Sequence, residues 1–403
     1  MLKIKIDSQP FQEYVIKLVV FLSYAAFSAW LSFFNLFLTR YAGFSAAQVG
    51  FISGIQQINI LLVLPLWGIM ADRLGRKKIL MAAMLVTLVL FYGFLFQKLF
   101  LSFFIFTFFI TLFYSPLSSL LDTIALDYHE QTGRSSYGNI RLWGSLGWAV
   151  ASIAIGSLLT LDNLWLIFPV ASILLLSAWL VVKLLYKPLW VKKNLHSIKM
   201  VHLKEIILSD YRLVLFLAII MLYGIFSAPI QFYINMYYNE IGATYRQLGI
   251  GYAVQAMSEI PFFFLGSIIV QKIGERRLLL LTMLVTSLRM FGYSLTSHPW
   301  VAIFIGASHG ICLALFMVSA VTYVHSLIAS EWRATGQAFI YSCYFGGGLA
   351  MGNAWIGLLA KTFSIRSVMR IEAILTFVMI ILVMMVFLFT KGKPQLAKVN
   401  REN

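Results

Sequence analysis

Few side chains in this sequence can do chemistry, and they fall at helical spacings. Arg141 and Trp148 are two helical turns apart and share a face. A guanidinium fork there can donate two parallel hydrogen bonds to a carboxylate or to adjacent hydroxyls, and an indole face can stack on a sugar or an aromatic ring. Asp122 lies in an otherwise apolar stretch that an antiparallel hairpin would bring toward Arg141. Tyr252, Gln255 and Glu259 follow i, i+3, i+7 spacing, so a phenol, an amide and a carboxylate face one cavity. Tyr223, Ser227, Gln231 and Asn235 make a second polar stripe, which suits a hydrogen-bonding ligand or, equally, helix-to-helix polar contacts. Glu259, Asp122, His309 and Arg289 are the groups available to bind and pass a proton. Tyr24, Asn35, Gln56, Gln57 and Asn59 are weaker candidates.

The elements that must position these groups follow from composition. Of 403 residues 61% are hydrophobic and 11% charged, and the mean hydropathy is +0.87. A soluble surface needs more charge than that, so the bilayer is the solvent. At about 20 apolar residues per spanning helix, twelve helices fit. The expected spans are 14–38, 47–71, 78–97, 100–128, 137–160, 163–187, 211–239, 245–271, 277–297, 299–328, 334–360 and 366–390. The first apolar stretch is long and lacks a small-residue cleavage site, so it reads as helix 1 and not as a cleaved signal. A side chain charged at bilayer depth is costly, which marks the groups above as functional.

The formal net charge of +16 does not indicate nucleic acid, because the basic residues follow the positive-inside rule. With both termini cytoplasmic, Arg73, Arg76, Lys77, Lys78, Lys187, Lys192, Lys193, Lys199, Lys204, Lys272, Arg276, Arg277, Lys391, Lys393 and Lys398 lie inside. Arg40, Lys98, Arg246, Lys361, Arg366 and Arg370 remain outside. Cys312 and Cys343 supply neither a disulfide framework nor metal-ligand spacing. There are no paired catalytic carboxylates and no nucleophile with its base, so enzyme chemistry has no support. The glycines at 346–348, 352 and 357 lack the Lys-Ser/Thr of a phosphate loop and suit close helix packing.

The chain divides at its longest polar interval into an N-terminal six-helix bundle (1–187), a cytoplasmic linker (188–210) and a C-terminal bundle with a short tail (211–403). The run from Gly68 to Lys78 recurs in weakened form from Ser267 to Arg277, and Gly138 has a counterpart in Gly336. An all-α membrane protein of two pseudo-symmetric six-helix bundles is therefore expected, with a site between them.

Gly68 to Lys78 resembles the loop signature between helices 2 and 3 of the major facilitator superfamily, including Gly68, Asp72, Arg73, Gly75 and Arg76. The resemblance implies a gating role for these five, with Gly68 and Gly75 allowing close approach and a tight turn. In the second copy Gln271 replaces the Asp. Tyr137 to Ala149 resembles helix 5 of the lactose permease and its oligosaccharide:proton symporter relatives, and Glu259, Arg289 and His309 follow that family's order. Arg333 to Gln337 and Gly346 to Gly348 resemble the branch of phenylpropionate permeases and nucleoside:proton symporters. The resemblance implies a proton-coupled symporter of a sugar, oligosaccharide or nucleoside-like solute, in which Arg141, Trp148 and a helix 4 carboxylate bind substrate. It also implies a monomer in a bacterial inner membrane with no cofactor beyond the coupling proton. Two departures matter: ungapped alignment sets Thr123 at the helix 4 carboxylate position, one residue from Asp122, and Cys312 takes the place of the family's proton-carrying Glu. An exporter of drugs or sugars, or a non-transporting sensor or scaffold on the same fold, remain the alternatives.

Overall fold

The computed structural model describes residues 8–135, 137–188, 210–328 and 333–389. The side chains of Ile60, Leu61, Leu64, Pro65, Ile69, Asp72, Tyr137, Arg333, Ala334 and Thr335 lie outside that description, as do the tail and all but the ends of the expected 188–210 linker. Twelve helical segments run through the described residues. In the first half they are α1 (Gln9–Leu36, ending in a π turn Phe37–Tyr41), α2 (Ala46–Leu74), α3 (Arg76–Gly93), α4 (Phe100–Tyr114 and Pro116–Thr132), α5 (Tyr137–Leu158) and α6 (Ile167–Leu184). The second half holds α7 (Tyr211–Phe232 and Ile234–Glu240), α8 (Tyr245–Ile273), α9 (Glu275–Leu295), α10 (Pro299–Gly306, Ile311–Leu315 and Phe316–Leu327), α11 (Arg333–Tyr341, Ser342–Gly348 and Leu349–Leu359) and α12 (Ile365–Phe389). Among the described residues, nine of these segments are long and apolar enough to cross a membrane. Each observed segment agrees with its expected span to within a few residues.

The duplication is visible in the punctuation of the helices. α2 opens with a capping box in which Ser45 and Gln48 satisfy each other's backbone N–H groups, and α8 opens with the same box from Thr244 and Gln247. α2 turns into α3 through the single residue Gly75 at φ +96°, and α8 turns into α9 through Gly274 at φ +84°. A residue with a Cβ would be strained at either turn. Each box and its turn recur after about 200 positions, the interval seen in the sequence.

Several segments are interrupted, for identifiable reasons. α4 bends at Ser115-Pro116, and α7 breaks at Tyr233, four residues after Pro229 removes a backbone donor. α10 is interrupted at Ala307-Ser308 and resumes as a π turn over Ile311–Leu315, while α11 is π-helical over Ser342–Gly348.

Lipid tails are as apolar as leucine, so the helices associate through close packing and aromatic contacts. In the first half Trp30 is packed edge-on against Phe34, Phe91 and Tyr114, with ring centroids 4.8–5.3 Å apart. In the second, Tyr223, Phe316 and Tyr344 form a triangle with centroids 4.6–5.7 Å apart. Outward faces carry exposed Leu101, Ile105 and Phe109 on α4 and Ile374, Phe377 and Ile381 on α12, as a lipid boundary requires.

The two halves meet at the end of the molecule away from the chain termini, here termed the far end. A methyl added to Gly249 of α8 would collide with the Ser152 carbonyl of α5, and one at Gly156 of α5 would collide with the Tyr245 carbonyl. The same contact is repeated between α2 and α11, where Gly50 lies against the Asn353 carbonyl and Gly357 against Ala46 and Ala47. At the opposite end a methyl on Gly68 would meet nothing within 4 Å. Among the described residues, the close approach expected of Gly68 is therefore not made in this conformation. Gly75 does form the tight turn expected of it.

Candidate functional site

The second half contains a chain of ionisable side chains. Glu259 projects from α8, His309 lies on α10 just after the helix break, and Arg289 and Tyr293 share one face of α9. His309 Nε2 is 3.1 Å from Glu259 Oε1. Arg289 Nη1 is 2.9 Å from His309 Nδ1, and Arg289 Nη2 donates to the Tyr293 hydroxyl at 3.3 Å. The guanidinium has only donors, so His309 Nδ1 must accept; the ring proton then sits on Nε2 and is donated to Glu259. A neutral imidazole thus connects a carboxylate to a guanidinium. Arg289 is 2% exposed and His309 7%.

The local sequence permits this geometry. Gly310 lets α10 lie against the Ser258 carbonyl, where a methyl would collide, and the Gly310 N–H donates to Ser258 Oγ at 3.0 Å. His309 is thereby fixed one residue from the helix crossing. Gln255, one turn before Glu259, is buried, and its Nε2 has no hydrogen-bond partner among the described residues. The same holds for Arg289 Nε and the Tyr238 hydroxyl. Buried donors left unpaired are unfavourable, so this region favours a species rich in acceptor oxygens.

The first half contributes a separate pair. Arg141 Nε lies 3.8 Å from Asp122 Oδ1, and the guanidinium is stacked 4.2 Å over the ring of Tyr24. Gly144 makes room for that stack, since a methyl there would sit 2.7 Å from Arg141 Nη1 and 3.0 Å from the Tyr24 ring. Arg141 and Asp122 are both half-buried. Tyr341 of α11, from the other half, is within electrostatic range of both. Asp122 therefore takes the role of partner to Arg141 although alignment favoured the next position; Thr123 turns its hydroxyl back to the Ser119 carbonyl.

The register of α5 against α8 relates the two groups. The contacts Gly156–Tyr245 and Ser152–Gly249 run antiparallel, so at 1.5 Å rise per residue Arg141 is level with Ile260, next to Glu259. Both charge clusters thus lie at one depth, on the side of the far-end contact nearer the chain termini.

The remaining expected residues divide. Trp148 is half-buried on α5, its carbonyl accepting from Ser28 Oγ at 2.9 Å. Tyr252 is half-buried on α8 near Tyr293. Gln231 donates to the Tyr344 hydroxyl at 3.5 Å, and Tyr344 is also bonded to Ser227. Asn235 belongs to the far-end contact: its Nδ2 donates to the Ser32 carbonyl at 3.4 Å. Reciprocally, Asn35 Nδ2 donates to the Phe232 carbonyl at 2.6 Å. The two amides exchange bonds across the pseudo-two-fold axis, and Arg40 adds a bond to Asn239 Oδ1 at 2.9 Å. Arg76 pairs with Asp127, which is 8% exposed. Arg73 and Gly68 are exposed, and the Asp72 side chain lies outside the described residues. Cys312 is buried, with its carbonyl 3.5 Å from the Tyr223 hydroxyl.

Sequence reasoning overlooked Tyr293, Tyr341 and the reciprocity of Asn35 and Asn235. Tyr293 was accessible from its i+4 spacing to Arg289; the others need tertiary proximity.

Comparison with known proteins agrees with this architecture. The MFS_1 like family model matches residues 14–371. The maltose permease of Geobacillus stearothermophilus is 28% identical over 374 residues, covering 90% of this chain and 93% of that protein. The sucrose permease of Escherichia coli is 24% identical, covering 75% and 76%, and the putative nucleoside transporter YegT of Escherichia coli (strain K12) is 26% identical, covering 85% and 83%. Among solved structures, a point mutant of the nucleoside transporter NupG superposes with a TM-score of 0.84 at 17% identity, over 93% of this chain and all of that one. On the family match, the helical architecture and the relatives together, the chain belongs to the MFS_1 like family and is a multi-pass membrane transporter of the major facilitator fold, not an enzyme.

Proposed function

We propose that this protein carries a sugar, oligosaccharide or nucleoside-like solute across a bacterial inner membrane together with a proton. The observation that carries the proposal is the buried Glu259–His309–Arg289–Tyr293 chain beside the unpaired donors of Gln255, Arg289 and Tyr238. Ring hydroxyls and nucleobase carbonyls supply the acceptors those donors lack. Arg141, Asp122 and Trp148 address the solute from the opposite half, the first two through a fork and a carboxylate and the third through an apolar ring face. The printed names of the relatives, a maltose permease, a sucrose permease and a putative nucleoside transporter, support that range of solutes.

Proton coupling rests on Glu259, with Cys312 standing where a symporter of the lactose permease type carries its acid. Ionised Glu259 holds the His309 N–H, and His309 in turn orients Arg289. A proton placed on Glu259 removes the charge that holds this chain, leaving Arg289 and His309 free to turn to another acceptor. Adding the proton to His309 Nδ1 instead would place a ring N–H against the Arg289 donor, which the geometry opposes. Asp122 beside Arg141 is the second candidate carrier.

With both termini cytoplasmic, the closed far end is the outer one and the conformation faces inward. Rocking of the halves about the shared depth then exposes the site alternately. Gly68, Asp72, Arg73, Gly75 and Arg76 lie at the inner end, where the halves must meet when the outer end opens. The reading describes a monomer in which one chain supplies both halves of the site.

The test is uptake of labelled disaccharides and nucleosides into vesicles carrying the purified protein, with and without an imposed pH gradient. Gradient-driven accumulation is expected, and Glu259→Gln should abolish it while leaving exchange of internal for external solute. Accumulation indifferent to the gradient would exclude symport, and the absence of flux for every solute would exclude a carrier of this class.

A further inference from the structure

One fully buried acid among the described residues takes no part in the proposed transport site. Glu372, on α12, is 0% exposed, and one of its oxygens, Oε1, accepts from Trp355 Nε1 of α11 at 2.9 Å. Its other oxygen, Oε2, has no hydrogen-bond partner among the described residues. Thr376, one helical turn farther on the same face, is also 0% exposed, and its hydroxyl also lacks a partner.

The ionisable neighbours are committed elsewhere. On α12, Arg370 bonds to Ser294, and Arg366 bonds to Glu240. On α9, Arg289 and Tyr293 bond to each other, and Ser287, level with Glu372, donates to the Ala373 carbonyl at 2.7 Å. On α7, Tyr223 bonds to Thr286 and Tyr237 to the Thr296 carbonyl. No cation lies within ion-pair distance of Glu372 among the described residues. A carboxylate sealed in protein with one neutral donor is poorly compensated. A carboxylic acid fits the same surroundings: Oε1 keeps the indole N–H, and the neutral group needs no cation.

We propose that Glu372 is a second proton-binding site, with an exchangeable proton on Oε2, and that Trp355 links the site to the turn of α11 at the far-end contact. The link is local. Two residues before Trp355, the Asn353 carbonyl accepts from the Tyr233 hydroxyl at 2.8 Å, and two residues after it, Gly357 lies against Ala46 and Ala47 of the other half. Ionisation of Glu372 alters its bond to Trp355 within the turn of α11 that closes the far end. The site is independent of Glu259, because it involves different helices and needs no substrate.

Difference infrared spectroscopy on the full-length protein in lipid, titrated from about pH 5 to about pH 9, tests this directly. A carbonyl stretching band of a neutral carboxylic acid should be present in the wild type and in Glu259→Gln and be lost in Glu372→Gln. It should shift in deuterium oxide and weaken as pH rises, and Trp355→Phe should move it to higher frequency by removing the indole donor to Oε1. If Glu372→Gln fails to fold, carboxyl-labelled glutamate in the wild type and Trp355→Phe gives the same comparison. Coincident acid bands in wild type and Glu372→Gln, or a band insensitive to deuterium and pH, would overturn the proposal. Failure of solute transport would not alter either result, so the two proposals are tested apart.

Discussion

The reciprocal amides at the far end make a quantitative prediction, because their two bonds differ in length and are the interactions that opening must break. Asn35 Nδ2 to the Phe232 carbonyl is 2.6 Å, and Asn235 Nδ2 to the Ser32 carbonyl is 3.4 Å. Ser53 Oγ also donates to Asn35 Oδ1 at 3.1 Å, orienting that amide, whereas Asn235 Oδ1 has no partner among the described residues. A neutral hydrogen bond contributes about 0.5–1.5 kcal/mol net. The short, braced bond belongs near the top of that range and the long one near the bottom. Asn35→Ala should therefore raise the ratio of far-end-open to far-end-closed protein about 10-fold, and Asn235→Ala about 2-fold. Both lie in one contact, so the double variant should fall short of the product. Spin labels at positions 162 and 361, exposed loop sites on opposite halves, would report the ratio as a distance distribution in a background without Cys312 and Cys343. Unchanged distributions in both variants, or a larger effect from Asn235→Ala, would refute the reasoning.

Other consequences follow from single contacts. Gly249→Ala places a methyl against the Ser152 carbonyl, which cannot yield without moving α5. Overpacking of this kind costs about 1–3 kcal/mol, and the same spin labels should show the far end held open. Arg141→Lys keeps the charge but loses the planar stack on Tyr24 and the fork toward Asp122. Substrate affinity measured by isothermal titration should fall about 10-fold or more. Asp210 caps α7 by accepting from the Arg212 N–H at 2.9 Å and pairs with the Arg212 side chain. Burial pushes the Asp210 carboxyl up, but the Arg212 bonds outweigh it and hold the group below the usual carboxylate range. A lowered carboxyl contributes stability that is complete above the unfolded value and lost as pH falls through the folded one. Asp210→Ala should lower the melting temperature near neutral pH, at a cost of about 1 kcal/mol. The difference from wild type should shrink below about pH 4.

Much of the fold was legible because its determinants are local or periodic. Apolar runs give the twelve segments, and the Gly68–Lys78 run with its echo gives the duplication. The capping boxes at Ser45 and Thr244 were legible in principle as S/T-x-x-Q before an apolar stretch. The site was legible where a charge at bilayer depth needed a reason, as for Arg141, Asp122, Glu259, Arg289 and His309. It was illegible where geometry decides between equivalent readings. Asn235 on a polar stripe is ligand-facing or interface-facing according to how α7 meets α1, and the break at Tyr233 settles that. Gly68 reads as a packing glycine, yet among the described residues a methyl on it would meet nothing within 4 Å. Glu372 escaped notice because it occupies one position in a continuous buried stripe on α12, from Val368 and Met369 through Ala373 and Thr376 to Met379, with no polar neighbour at helical spacing except Thr376.

The duplicated features and the unduplicated ones do different jobs. Gly50 and Gly249, and Asn35 and Asn235, recur at nearly the same interval, and with Gly357 and Gly156 they make the contact between halves the same on both sides of the pseudo-two-fold axis. A contact built this way suits symmetric rocking of two similar bodies, as proposed above. At that interval the counterparts of Arg289, Tyr293 and His309 are Leu90, Phe94 and Ile110, and Phe94 is stacked among Phe103, Phe106 and Phe168. The first half thus has an aromatic cluster where the second half has a titratable chain. On the proposed reading, a proton on Glu259 would bias a symmetric motion from one side, because it would change the internal bonding of the second bundle. On the same reading, a solute held by both clusters would couple the two bundles only while bound, since Arg141 and Asp122 lie on the other half.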